Sequence, residues 1–135
     1  MIRLLLCLSL MLGAQPESCT KTKDDMFTIY LVRHAEKNTA SANSDDPELT
    51  ACGQQRAESL NQFFSSIALD KVYSTNYTRT KSTAQPTASS KGIDIAMYDG
   101  DKLQEFAHQL LANKEDALVV GHSNTTAVLA GLLVG

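Results

Sequence analysis

Four short apolar runs, each followed by a stretch with helical spacing, constrain this chain more than any other feature. The first run is Phe27-Thr28-Ile29-Tyr30-Leu31-Val32, β-branched and aromatic, and apolar on both faces toward its end. The others are Val72-Tyr73 with Leu69, Ile93-Asp94-Ile95-Ala96-Met97, and Ala117-Leu118-Val119-Val120. A strand apolar on both faces belongs inside a parallel sheet covered by helices. After the first run, Ala57, Leu60, Phe64 and Ile67 recur at three- and four-residue steps, one helical face, with Thr50 placed to cap its start. Asn76 to Ser90 reads as a polar helix kinked or broken at Pro86 and ended by Lys91-Gly92. Leu103, Phe106, Ala107, Leu110 and Leu111 form the clearest helical stripe, and Asn124 to Val134 an apolar helix expected to be buried on most sides. The order βαβαβαβα predicts an α/β fold, a three-layer α/β/α arrangement on a mostly parallel sheet with right-handed crossovers.

A length of 135 residues fits one such domain, and 43% hydrophobic with 20% charged residues excludes a disordered chain. The net charge of -3 and pI near 5.5 give no reason to expect nucleic acid or an anionic membrane as partner. Residues 1–14 have a short basic start, an apolar run and small residues behind it, the layout of a signal peptide. The apolar run is too short to span a bilayer. Residues 15–25 read as a linker and 26–135 as the domain. Export to the periplasm or beyond is the expectation, with no membrane insertion once the signal is removed. A cytoplasmic protein follows if the segment is not a signal. Removal of Cys7 with the signal leaves Cys19 and Cys52, which could pair in an oxidising compartment. No His/Cys cluster has zinc-ligand spacing, so no metal or other cofactor is expected. A monomer is the favoured state.

In open α/β sheets ligands bind outside the carboxyl ends of the strands. Arg33-His34 ends the first strand, Tyr73-Ser74-Thr75 the second with Arg79 soon after, Asp99 follows the third, and Gly121-His122-Ser123 ends the fourth. Two arginines, two histidines and an acid therefore meet on one rim. Arginines bind phosphate in bidentate fashion, and protonated histidines add donors. His122 before a helix start adds a positive helix end. An imidazole can attack phosphorus and carry the phosphoryl group, while flanking cations stabilise the equatorial oxygens. The leaving oxygen then needs a proton from a carboxylic acid. Asp99 at the strand end is preferred for that role over Glu105, which lies off the apolar stripe of the third helix and should face solvent. Lys37 either reaches the pocket or solvates its loop. Glu36 is expected to face away, Ser123 or Asn124 to cap the last helix, and His108 to be structural.

Four motifs in order carry a resemblance. They are Arg33-His34 after an apolar strand; Leu49-Thr50 with Gly53, Arg56-Ala57 and Leu60; Tyr73-Ser74 with Arg79-Thr80 and Thr83-Ala84; and Val119-Val120-Gly121-His122-Ser123. Together they resemble the histidine phosphatase superfamily, the phosphoglycerate-mutase-like group, from about Phe27 to Val134. The resemblance implies that His34 is the phosphorylated nucleophile and that Arg33, Arg79 and His122 hold the phosphoryl oxygens. It implies metal-independent hydrolysis of a small phosphomonoester through phospho-His34. Alternatives are a protein phosphohistidine phosphatase, a non-catalytic phosphate-binding module, or a mutase-type phosphotransferase, the last disfavoured because no long insertion caps the site. Ala35 stands where the family usually has glycine, one methyl tighter beside the nucleophile. The family fold usually continues with a further strand, so the chain is expected to be C-terminally truncated.

Overall fold

The computed structural model describes residues 26–135. The signal, linker and Cys19 expectations lie outside the described residues. Eight elements alternate along the chain: β1 (Ile29–Arg33), α1 (Ala51–Phe63), β2 (Lys71–Ser74), α2 (Thr78–Lys91), β3 (Ile95–Met97), α3 (Leu103–Asn113), β4 (Ala117–Gly121) and α4 (Ser123–Val134). The four strands form one sheet in the order β1-β4-β2-β3, and every pairing is parallel. The sheet is thus wholly, not mostly, parallel among the described residues.

Period-two alternation builds the two cores. Ala117 and Val119 of β4 face Phe106, Ala107 and Leu110 of α3 and Leu129 of α4. Leu118 and Val120 face Phe64 and, on α2, Ala84 and Ala88. All five residues of β4 are buried, as a central strand covered on both sides requires. No helix among the described residues is long and apolar enough to cross a membrane.

Three expectations need correction. α2 runs unbroken through Pro86. The proline removes the hydrogen bond to the Ser82 carbonyl, but Ser82 borders an open groove between α1 and α2, where water can replace it. α1 ends at Phe63 with Phe64 as its cap, whose N–H still bonds to the Leu60 carbonyl, so Phe64 continues the helical face and Ile67 alone packs from the turn behind it. α4 is not buried on most sides: Val128 is 53% and Val134 86% exposed, and only Thr125 and Leu129 are buried. It lies at one face of the sheet against α3 and β1, with nothing covering its outer side among the described residues.

Two local features fix the chain near β1. The Thr50 hydroxyl accepts the Gly53 N–H at 3.0 Å and caps α1 as expected. Gly53 lies so close to the segment after β1 that a Cβ there would collide with the Glu36 carbonyl oxygen. Gly53→Ala is therefore expected to cost about 1–3 kcal/mol of stability, read as a lower urea midpoint at unchanged slope.

Candidate active site

Strand register assembles the site. Arg33 pairs with Gly121, so the residues that follow, His34 and His122, leave the sheet side by side. The His34 N–H donates to the Gly121 carbonyl at 2.9 Å, and the two imidazoles stand 5.4 Å apart, centre to centre. The helices that follow β1 and β4 pack on opposite faces, which opens a crevice at this point of the sheet. β2 lies on the other side of β4, with Ser74 paired to Val120, so Thr75 comes up beside His122.

Hydrogen bonds assign both tautomers. His34 Nδ1 lies 2.7 Å from the Ala35 carbonyl oxygen, which can only accept. Nδ1 must carry the proton, and Nε2 keeps the lone pair. On the other side, Thr80 Oγ1 donates to the carbonyls of Thr75 and Tyr77. It therefore accepts the Thr75 hydroxyl proton at 3.0 Å. Thr75 Oγ1, its own proton spent, accepts from His122 Nε2–H at 2.9 Å. A chain of buried hydroxyls thus holds the second imidazole in one tautomer.

Arg79 enters from the first turn of α2. Its guanidinium lies 4.3 Å over the Tyr77 ring, and Tyr77 in turn packs edge-on against His122. The arginine side chain is 13% exposed, and its nearest acid is Asp46, with Nη1 to Oδ1 at 3.6 Å. Nε and Nη1 are buried and have no hydrogen-bond partner. A buried cation with unsatisfied donors is costly. An oxyanion seated beside the imidazoles would satisfy them.

The other sequence candidates divide. Asp99 lines the same cleft as Arg79 and His122, a cavity of about 630 Å³. Its loop folds back over the sheet: the Tyr98 hydroxyl reaches the Val120 carbonyl at 3.4 Å, and Gly100 sits against Thr125. Glu105 is exposed and borders a separate depression with His108, away from the site. Arg33 is exposed at the end of β1 and borders a groove with Arg56 and Phe63. Lys37 is exposed, but its charge and that of Arg33 still act on both imidazoles. Glu36 turns outward and pairs with Arg56. The cap of α4 is His122, in a reciprocal pair with Thr125, and not Ser123 or Asn124. Among the described residues no three His, Cys, Asp or Glu side chains gather as a metal site.

The model of the histidine phosphatase superfamily, branch 1, matches residues 29–117. The chain belongs to the histidine phosphatase superfamily. The match contains His34 and Arg79 and ends before His122, whose place rests on the register and the hydrogen bonds above. A Salmonella choleraesuis protein assigned as the phosphoglycerate mutase GpmB is 36% identical over 75 residues, 52% of this chain and 34% of that protein. The chain thus spans about a third of the curated relative it matches. Solved structures share the histidine phosphatase fold at low identity. An Escherichia coli K-12 protein assigned as an alpha-ribazole-5'-P phosphatase superposes with a TM-score of 0.69 at 16% identity, covering 79% of each chain. The protein histidine phosphatase SixA complexed with tungstate gives 0.65 at 12% identity, covering 76% of this chain and 74% of that one.

Ala35, which stands where the resemblance implies glycine, is buried. Its methyl packs with Leu49 and Ala57 in a small buried cluster, while its N–H donates to Thr83 Oγ1 at 2.9 Å. Thr83 donates in turn to the Arg79 carbonyl at 2.8 Å, tying the segment after β1 to α2. Sequence reasoning named Thr75 at a strand end and Thr83 in a motif without giving either a role, and it passed over Asp46. Asp46 accepts from both the N–H and the hydroxyl of Thr78, each at 2.8 Å. It so caps α2 from a loop 32 residues upstream, where Tyr77 offers no side-chain cap. An acid at a helix start is a known signal, but one so far away in sequence gives no local sign.

Burial lowers the pKa of His34, and the charges of Arg79, Arg33 and Lys37 add to that; only the bond to the Ala35 carbonyl opposes them. Burial, with Arg79, His34, Arg33 and Lys37, lowers His122 from 6.5 to about 4. Both rings are therefore neutral near pH 7, and neither gains a donor by protonation there. The neutral His122 Nε2–H is given to Thr75 Oγ1. Because its folded pKa lies below the free value of 6.5, protonation opposes folding. Its stabilising contribution is complete above pH 6.5 and is lost as pH falls through about 4. An NMR titration is expected to place the His122 midpoint at about 4, and inorganic phosphate is expected to raise it by offsetting the arginine charge. A midpoint at or above 6.5 without phosphate would contradict this.

Proposed function

We propose that this protein is a metal-independent phosphomonoesterase that works through a phosphohistidine at His34. One observation carries the reading: an imidazole whose Nε2 lone pair is free sits beside a buried guanidinium with two unpartnered nitrogens. In the first step the Nε2 lone pair forms a bond to phosphorus as the ester P–O bond breaks. The departing alcohol oxygen takes a proton from the Asp99 carboxyl. Arg79 and Arg33 bear the charge on the equatorial oxygens, while His122, its Nε2–H held by Thr75, forms part of the pocket wall. In the second step water attacks phosphorus, the N–P bond breaks and inorganic phosphate leaves. The water proton returns to Asp99, and His34 regains its neutral form. His34 is only partly buried, so water can reach the intermediate; this supports hydrolysis over return transfer to an alcohol.

The reading is tested with a panel of phosphomonoesters. No turnover of any of them would sink it. Asp99→Asn is expected to slow esters of poorly acidic alcohols by about 10²-fold or more, and to leave p-nitrophenyl phosphate within a few-fold, since that leaving group needs no proton. Equal effects on both would remove Asp99 from the acid role.

A further inference from the structure

Arg79 needs a support that hydrogen bonds do not supply. An arginine side chain is long and gives up much rotamer freedom when it is fixed. Its Nε and Nη1 are buried without hydrogen-bond partners. Asp46 is 3.6 Å away and gives both carboxylate oxygens to Thr78 at the start of α2. The Tyr77 ring does lie against the guanidinium, with its centre 4.3 Å from Cζ. That ring is itself held. The Tyr77 N–H donates to the Thr75 carbonyl at 2.9 Å, and the Tyr77 carbonyl accepts the Thr80 hydroxyl at 2.9 Å and the Lys81 N–H at 3.0 Å. The ring also packs edge-on against His122, 5.1 Å between centres and 87° between planes. An aromatic face holds a cation through its quadrupole. Unlike a carboxylate or a carbonyl, it leaves N–H donors for a ligand, and Nε and Nη1 are indeed unpartnered.

We infer that Tyr77 is a positioning residue for the reaction: its ring holds the Arg79 guanidinium in the cleft and leaves Nε and Nη1 for the phosphoryl oxygens. The inference rests on the phosphate-binding part of the proposed function. Tyr77, Arg79 and His122 line one cleft. A cation fixed before the ligand arrives costs no reorganisation when charge develops on phosphorus. Tyr77 is 42% exposed, so a change of its ring disturbs the core little and is read at the site. Leucine in its place keeps an apolar contact to His122 and removes the aromatic face.

The test combines calorimetric binding of inorganic phosphate with kcat/KM for p-nitrophenyl phosphate. Tyr77→Leu is expected to weaken phosphate binding and to lower kcat/KM, each about tenfold. Tyr77→Phe, which keeps the ring, is expected to stay within about twofold of wild type in both. Tyr77→Met takes the place of the leucine variant if that one does not fold. In an Arg79→Ala background, Tyr77→Leu is expected to change kcat/KM less than about twofold, because the group it acts through is gone. Phosphate binding by Tyr77→Leu equal to wild type, a loss that persists undiminished without Arg79, or a loss as large in Tyr77→Phe would overturn the inference and leave the hydrolase reading standing. Failure of the wild type to bind phosphate would overturn both. If phosphate affinities fall in the expected order but the wild type turns over no ester, the hydrolase reading fails and the positioning role stands.

Discussion

His34→Ala is expected to lower kcat/KM by roughly four orders of magnitude or more for every ester that the wild type hydrolyses. The size follows from the role: a covalent step cannot be rescued by charge or position once the attacking atom is gone. The fold should survive, because the bond that His34 contributes to the sheet edge is a backbone one, from its N–H to Gly121. The loss should therefore appear with an unchanged circular dichroism spectrum and an unchanged cooperative melt. Activity within tenfold of wild type would move the nucleophile elsewhere.

Arg79→Ala is expected to reduce kcat/KM by about 10³-fold, the scale at which loss of a fixed cation or donor at a transferring phosphoryl group is felt. Its effect on stability should be small or even favourable. The guanidinium is buried with two nitrogens unpartnered, and Asp46 at 3.6 Å is too far for a hydrogen bond to Nη1. Removing a buried charge that lacks full partners relieves a desolvation cost. A thousandfold loss of activity beside a melting temperature at or above wild type is the signature of a residue kept for its ligand. Arg79→Lys should recover only part of the loss, since an ammonium cannot present two parallel donors or stack on Tyr77 in the same way. A large loss of stability in Arg79→Ala would recast the arginine as structural.

What the sequence disclosed depended on whether a residue acts locally. Strand runs such as Ala117 to Val120 announce themselves, because burial on both faces leaves no room for polar side chains. Arg33-His34 and Gly121-His122 were legible because they end such runs, and topology brings strand ends together. Nothing in the one-dimensional pattern reported that β4 inserts between β1 and β2, yet that insertion sets the two histidines side by side. Thr75 and Asp46 looked like ordinary loop residues. Their work is done across the fold, on His122 and on the start of α2. Pro86 does not break α2, because Ala84 and Ala88 on either side of it pack into the core. Asp99 lines the cleft with Arg79 and His122, as its place at a strand end suggests, while Glu105 lies on α3 beside another depression.

The central claim is the covalent intermediate. Wild-type protein should be mixed with a rapidly hydrolysed ester, quenched within milliseconds in alkali, where phosphohistidine survives, and digested for mass spectrometry. One phosphoryl group is expected on the peptide that contains His34, absent from His34→Ala and lost on brief acid treatment. Turnover with no phosphopeptide at any quench time, or a phosphoryl group on His122 or on a hydroxyl side chain, would contradict the account.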